Sequence, residues 1–133
     1  MSQDGETFFT VVGCMDGRVQ SVVAAFGSKK YGAKFPDTIT DAGIVAKISK
    51  NPDPKYCVDL QRKLLVSIDK HNSKGIVVDG HQECAGNPVE DGVHVQDIQN
   101  AVEFIKVITS NRVPVIGVFV KRDSKAWIVE EIS

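Results

Sequence analysis

Two short segments of the chain carry residue types that bind metal ions. Cys14-Met15-Asp16-Gly17-Arg18 sets a thiol, a carboxylate and a guanidinium at alternate positions, and His81-Gln82-Glu83-Cys84 sets an imidazole and a thiol three residues apart. Thiolates and imidazole suit zinc, with Zn–S of about 2.3 Å and Zn–N of about 2.0–2.1 Å in a tetrahedral shell. Cys14, His81 and Cys84 would supply three ligands and leave the fourth position open. That is the arrangement of a catalytic zinc; a structural zinc is usually closed by four protein ligands. Asp16 could fill the fourth position, or it could accept a hydrogen bond from a zinc-bound water. Arg18 could hold Asp16 away from the metal through a bidentate ion pair. Each motif is weak alone: Cys14 could be a small buried residue, and His81 an ordinary loop histidine. Their meaning depends on the elements that present them.

Those elements alternate along the chain. Thr7 to Gly13 is aromatic and β-branched and reads as a buried strand ending at Cys14. Arg18 to Lys30 follows with Val19, Val22, Val23 and Phe26 at helical spacing, and Gly27 and Gly32 mark its end. Phe35 to Gly43 reads as a short strand running into a loop. Asn51-Pro52-Asp53-Pro54 is a helix start, with Asp53 as cap and Pro54 in the first turn. This helix runs to about Asn72 with Cys57, Leu60, Leu64 and Ile68 on its apolar stripe, so Cys57 is expected in the core. His71, at its end, is expected to complement the helix dipole.

Lys74 to Gly80 reads as a strand covered on both faces, followed by a polar loop from Gly80 to Gly92. Val95 to Ser110 is a further amphipathic helix with Ile98, Val102, Ile105 and Ile108 inward. Pro114 to Val120 is another buried strand, and Ala126 to Ile132 an edge strand. The short Lys121–Lys125 connection makes that last pairing antiparallel. The pattern predicts a single α/β domain over residues 1–133. It has three layers and a mostly parallel sheet of four to five strands, the last antiparallel at the edge. In such sheets ligands bind beyond the carboxyl ends of the strands. Both metal-type motifs leave strands at that edge. If the two strands are neighbours, about 4.8 Å apart, Cys14 and His81 emerge side by side and Cys84 can fold back toward them.

Composition excludes several classes. The chain has 133 residues, is 42% apolar and 25% charged, and has a net charge of −1. It therefore lacks the clustered basic surface that nucleic acid or an anionic membrane requires. No apolar run approaches the roughly 20 residues of a membrane span. The polar, acidic start, Met1 to Glu6, does not resemble a secretory signal, so a cytoplasmic protein is expected. Three cysteines, Cys14, Cys57 and Cys84, make an odd count that argues against a disulfide framework. The Lys29-Lys30 pair reads as a solvated face.

With the motifs placed, the chain resembles the β-class carbonic anhydrases, as a short, minimal member. The resemblance rests on Cys14-x-Asp16-x-Arg18 followed by His81-x-x-Cys84. Asp41-Ala42-Gly43 is similar to that family's Asn-Ala-Gly segment, and the Leu64–His81 stretch to the helix and strand that lead into the second metal motif. Gly86 is similar to the glycine just after it, displaced by Ala85. The likeness covers roughly Phe8 to Val129. Gly17 stands where the family usually has serine, and Thr40-Asp41 replaces its arginine–asparagine pair. Only about six residues precede the first strand, where the family commonly has a long helical arm.

The resemblance implies zinc on Cys14, His81 and Cys84, and an Asp16–Arg18 dyad. It implies reversible hydration of carbon dioxide to bicarbonate by a zinc-bound hydroxide. It also implies a small-molecule substrate and a homodimer or dimer-based assembly. Relatives with the same ligands hydrolyse carbonyl sulfide or carbon disulfide, which is the first alternative; a non-catalytic zinc-binding module is the second. His94 is a proton shuttle by type only, since no spacing relates it to the metal motifs.

Overall fold

The computed structural model describes residues 2–50 and 52–133. The described residues form five strands and four helices, in the order β1 (Phe8–Cys14), α1 (Gln20–Tyr31), β2 (Phe35–Asp41), α2 (Ile44–Ser49), α3 (Pro54–Lys70), β3 (Ile76–His81), α4 (Asp91–Ile108), β4 (Val115–Asp123) and β5 (Ala126–Glu131). They form one sheet in the order β2-β1-β3-β4-β5. The β1–β2, β1–β3 and β3–β4 pairings are parallel, and β4–β5 is an antiparallel hairpin. The expected fold class holds, and the two motif-bearing strands are hydrogen-bonded neighbours at the middle of the sheet.

The sheet is buried on both faces because its central strands are apolar at successive positions rather than alternate ones. Ile76, Val77 and Val78 are all fully buried. Val12, Ile76, Val78 and Phe119 pack with residues of α2, α3 and α4, including Ile44, Leu64 and Ile105. Phe9, Val11, Val77 and Val118 pack with Val19 just before α1 and Val23 within it. That division makes three layers.

Local signals act as expected at several ends. The Asp53 side chain accepts from the Tyr56 amide and Pro54 opens α3; Asn51, at the head of the predicted start signal, lies outside the described residues. Gly32 takes the left-handed conformation that ends α1. Met1, the first of the polar leading residues, also lies outside the described set.

Four expectations need correction. The segment after Gly43, which shows no periodicity, forms α2; its Ile44, Val45, Ala46 and Ile48 are all buried and only Lys47 is exposed, so six residues are too few to set a period. The loop after β3 ends sooner, because α4 begins at Asp91, whose carboxylate favours a helix N-terminus. The hairpin is tighter than its sequence suggests: the pairing continues to Asp123↔Ala126, with Ser124 left-handed at the turn. Cys57 is only half-buried, at the margin of the α3 stripe rather than in the core, and its thiol donates to the Pro52 carbonyl over 3.7 Å. His71 does cap the C-terminus of α3. Its ring also bonds Asp37 at 2.7 Å and stacks on Phe8 with centroids 4.0 Å apart.

Candidate metal centre

β1 and β3 run in register from Thr10↔Ile76 to Val12↔Val78. Beyond that point the Cys14 amide leaves the ladder and donates to the Asp79 carboxylate over 3.2 Å. Asp79 fits there only because residue 13 is glycine: a Cβ at Gly13 would lie 1.9 Å from its Oδ2. The two strand ends therefore stay in close contact as they deliver Cys14 and His81 to one edge.

Cys84 completes the cluster. Cys14, His81 and Cys84 each offer one ligand atom, and these atoms lie within 4.8 Å of one another. The two sulfurs are 3.7 Å apart. All three side chains are buried, His81 completely. The His81 Nδ1–H donates to the Gln82 carbonyl over 2.7 Å, which fixes the tautomer. The opposite nitrogen, Nε2, carries the lone pair and, among the described residues, has no hydrogen-bond partner although it is buried. A buried ring nitrogen without a partner is costly unless something binds it.

Backbone donors prepare the sulfurs for charge. Burial raises the Cys14 thiol, but the His81 ring and the amides of Gly43 and Asp16 outweigh it and lower the pKa to about 7. Burial and the neighbouring Cys14 charge push Cys84 up, against the amides of Gly86 and Asn87. For His81, burial opposes protonation, but the adjacent Cys14 sulfur prevails and the pKa is raised. A cation would relieve this crowding of two sulfurs and one imidazole. The donor set thus fits zinc in type, number and burial.

The supports for this cluster pack tightly. Gly43 is left-handed at φ 59°, and a Cβ on it would meet the Gly86 carbonyl carbon at 2.5 Å. The Asp41-Ala42-Gly43 and Cys84-Ala85-Gly86 segments therefore lie backbone to backbone, each offering amides to one of the cysteines. Gln20 donates to the carbonyls of Cys14 and Asp16 over 2.8 and 2.7 Å, which pins the turn after β1.

Asp16 and Arg18 form a two-pronged ion pair. Arg18 Nε donates to Oδ1 over 3.0 Å and a terminal nitrogen to Oδ2 over 2.7 Å. These bonds hold the Asp16 carboxyl down at about 2. Its Oδ2 lies 3.9 Å from His81 Nε2, so the dyad borders the three-ligand cluster. His94 is nearer to the cluster than its sequence position suggests, with its ring centroid 6.4 Å from that of His81. It is only 2% exposed, however, and its Nε2 has no partner among the described residues; burial pushes its pKa down. A buried ring of this kind is poorly placed to exchange protons with bulk water.

Several residues at this edge escape a sequence reading. Asp79 is 2% exposed, and burial pushes its pKa up to about 7. A lone acid inside an apolar run was its only signal. Glu83, Arg122 and Trp127 gather around Arg18, but they come from the second motif and the distant hairpin, and nothing in their spacing relates them.

Comparison with known proteins agrees with this geometry. Residues 4–133 match a family model described as "Putative carbonic anhydrase". No curated protein matches the chain. Among solved structures, a carbonic anhydrase of Streptococcus mutans superposes with a TM-score of 0.64 at 17% identity, over 96% of this chain and 82% of that one. The β-carbonic anhydrase isoform I of Trichomonas vaginalis gives 0.62 at 16% identity, over 97% and 86%. One of the two β-carbonic anhydrases of Sordaria macrospora described as tetrameric gives 0.63 at 12% identity, over 97% and 82%. At these identities the superpositions establish a shared fold. Among the described residues, no helix is long and apolar enough to cross a membrane.

Proposed function

The chain belongs to the carbonic anhydrase family whose model it matches, and from that premise we propose that it catalyses the zinc-dependent, reversible hydration of carbon dioxide to bicarbonate. Cys14, His81 and Cys84 hold the ion. The observation that carries this reading is the buried, unpartnered Nε2 of His81, set in the tautomer that presents a lone pair, beside two sulfurs 3.7 Å apart. The chemistry that a bound zinc supplies is Lewis acidity, which brings the pKa of a water from 15.7 down to about 7.

The chain's own groups do the rest. The Gln82 carbonyl fixes the His81 ring, and the Gly43, Asp16, Gly86 and Asn87 amides stabilise the thiolates. Arg18 keeps Asp16 ionised and aimed along the edge of the cluster. The low pKa, about 2, keeps Asp16 ionised at neutral pH, so its carboxylate is available as a hydrogen-bond acceptor at the edge of the cluster. The engagement of both Asp16 oxygens by Arg18 also favours an enzyme over a non-catalytic module, in which Asp16 would close the fourth position. The substrate is small and apolar, and its recognition needs few polar contacts.

The family reading extends to a homodimer or dimer-based assembly; the Sordaria macrospora relative is described as tetrameric. Free cysteines in odd number fit a reducing, cytoplasmic location.

The test is stopped-flow hydration of carbon dioxide by protein carrying one zinc per chain, from pH 6.5 to 9. Catalysis above buffer that disappears in Cys84→Ser is expected. Absence of catalysis throughout that range would contradict the assignment. Hydrolysis of carbonyl sulfide or carbon disulfide by the same preparation would then replace the substrate, and inertness toward all three would leave a zinc-binding module.

A further inference from the structure

Arg18 is held on more sides than a dyad needs. Besides its two side-chain bonds to Asp16 and a third from its own amide to Oδ1 over 2.9 Å, it reaches the Glu83 carboxylate at 3.3 Å and the Glu83 carbonyl at 3.1 Å. Glu83 in turn takes Arg122, through Nε at 2.7 Å and a terminal nitrogen at 3.3 Å. Both guanidinium groups lie over the Trp127 ring, Arg18 at 5.1 Å and Arg122 at 4.6 Å from its centroid. Trp127 and Arg122 are partners across the β4–β5 hairpin. The same tryptophan meets the His81 ring edge-on, with centroids 6.2 Å apart. Glu83 sits at φ 57°, a left-handed conformation unusual for a residue with a side chain, and such strain persists where surrounding contacts enforce it. The Arg122 amide completes the ring by donating to the Gln82 side chain over 2.8 Å.

We propose that Trp127, with Arg122 and Glu83, is a positioning device for the metal centre. It seats Arg18 so that both Asp16 oxygens stay in the guanidinium fork, and the fourth metal position stays available to an outside ligand. This rests on the metal-site reading above. Free of its seat, Arg18 would be an exposed arginine in a surface ion pair, and such pairs are weak because water and side-chain entropy compete. Stacking on an aromatic face limits the alternatives open to the guanidinium. Asp16 would then be able to turn toward the ion and occupy the open position itself.

The experiment replaces zinc by cobalt(II) and follows azide binding through the visible spectrum of the metal. The variants are Trp127→Leu, Trp127→Phe and Arg122→Gln, each with and without Asp16→Asn. Trp127→Leu leaves the charge unchanged and is expected to weaken azide binding by about two- to five-fold, the upper bound being the full size of one lost cation–π contact. Trp127→Phe, which keeps an aromatic face, should stay within about two-fold of the wild type. In the Asp16→Asn background, Trp127→Leu should have no effect, since the competing carboxylate is gone.

Equal azide affinity in Trp127→Leu and wild type would overturn the inference, and so would a loss that persists with Asp16→Asn. If Trp127→Leu fails to fold, Arg122→Gln decides by the same two comparisons, because a mere loss of positive charge would weaken azide in both backgrounds. Failure of the wild type to take up one cobalt per chain, or to change its spectrum with azide, would overturn the metal-site reading itself and this inference with it.

Discussion

Gly13→Ala is predicted to damage the metal edge through a single buried contact. The new methyl would lie 1.9 Å from Asp79 Oδ2, 2.6 Å from its Cγ and 2.9 Å from its Oδ1. Ordinary contact begins at 3.4 Å, so Oδ2 must retreat by over an ångström and the rest of the carboxyl by a smaller amount. Asp79 is 2% exposed in the middle of a sheet and has only two side-chain torsions, so it has no free end to swing aside. Overpacking of this kind costs about 1–3 kcal/mol. The move also breaks the Cys14 amide bond to Oδ1, worth about 0.5–1.5 kcal/mol. The expected destabilisation is about 2–4 kcal/mol, or roughly 10 °C in melting temperature for a domain of this size.

The assay is urea unfolding of Gly13→Ala, Asp79→Ala and the double variant, with a chelator present so that bound metal does not add to stability. In the double variant the alanine methyl occupies space left by the carboxyl. Its destabilisation should fall short of the sum of the singles by at least about 1 kcal/mol. Additive effects, or a Gly13→Ala protein as stable as wild type, would refute the contact as described.

Gly43→Ala should be worse than Gly13→Ala, because both its left-handed backbone and its approach to the Gly86 carbonyl carbon involve main chain that cannot turn away; a loss of about 3 kcal/mol or more in the same unfolding assay is expected. Tyr31 and Tyr56 are both pushed up to about 12, chiefly by burial, so folded protein should develop little tyrosinate absorbance at pH 11. Their folded pKa values exceed the unfolded value of about 10, so their contribution to stability is complete below pH 10 and is lost as pH rises through 12, which alkaline unfolding curves would record. Cys57→Ala should retain zinc at the wild-type ratio, measured by elemental analysis, and should cost no more than about 1 kcal/mol, because this thiol is half-buried and does not belong to the Cys14–His81–Cys84 cluster.

The strands were readable because each leaves an apolar run of the right length, and two of the three clustered residues, Cys14 and His81, were readable because each sits where such a run ends. Gly75 to Gly80 places His81 just past the β3 run, and Thr7 to Gly13 does the same for Cys14. What escaped detection lacks a local signature. Helix α2 is only six residues long, with Lys47 and Ser49 its polar positions, so no period distinguishes it from a strand or a loop. The start of α4 is masked by Gly92 and by the exposed Val93. The Arg18–Glu83–Arg122–Trp127 group depends on contacts across dozens of residues, from Arg18 to Glu83 and from Glu83 to Arg122, which only the strand order creates. Asp79 looks like a flaw in an apolar strand until Gly13 and the Cys14 amide are found against it. The nearness of His94 to His81 likewise arises from α4 packing on β3.

The most direct test of the account is zinc K-edge X-ray absorption on protein carrying one zinc per chain. The account predicts two sulfur scatterers at about 2.3 Å, one imidazole nitrogen at about 2.0–2.1 Å and one further light atom. In Cys84→Ser the sulfur count should fall to one or the zinc should be lost. A shell of nitrogen and oxygen alone in the wild type, or a sulfur count unchanged in Cys84→Ser, would contradict the centre built from Cys14, His81 and Cys84.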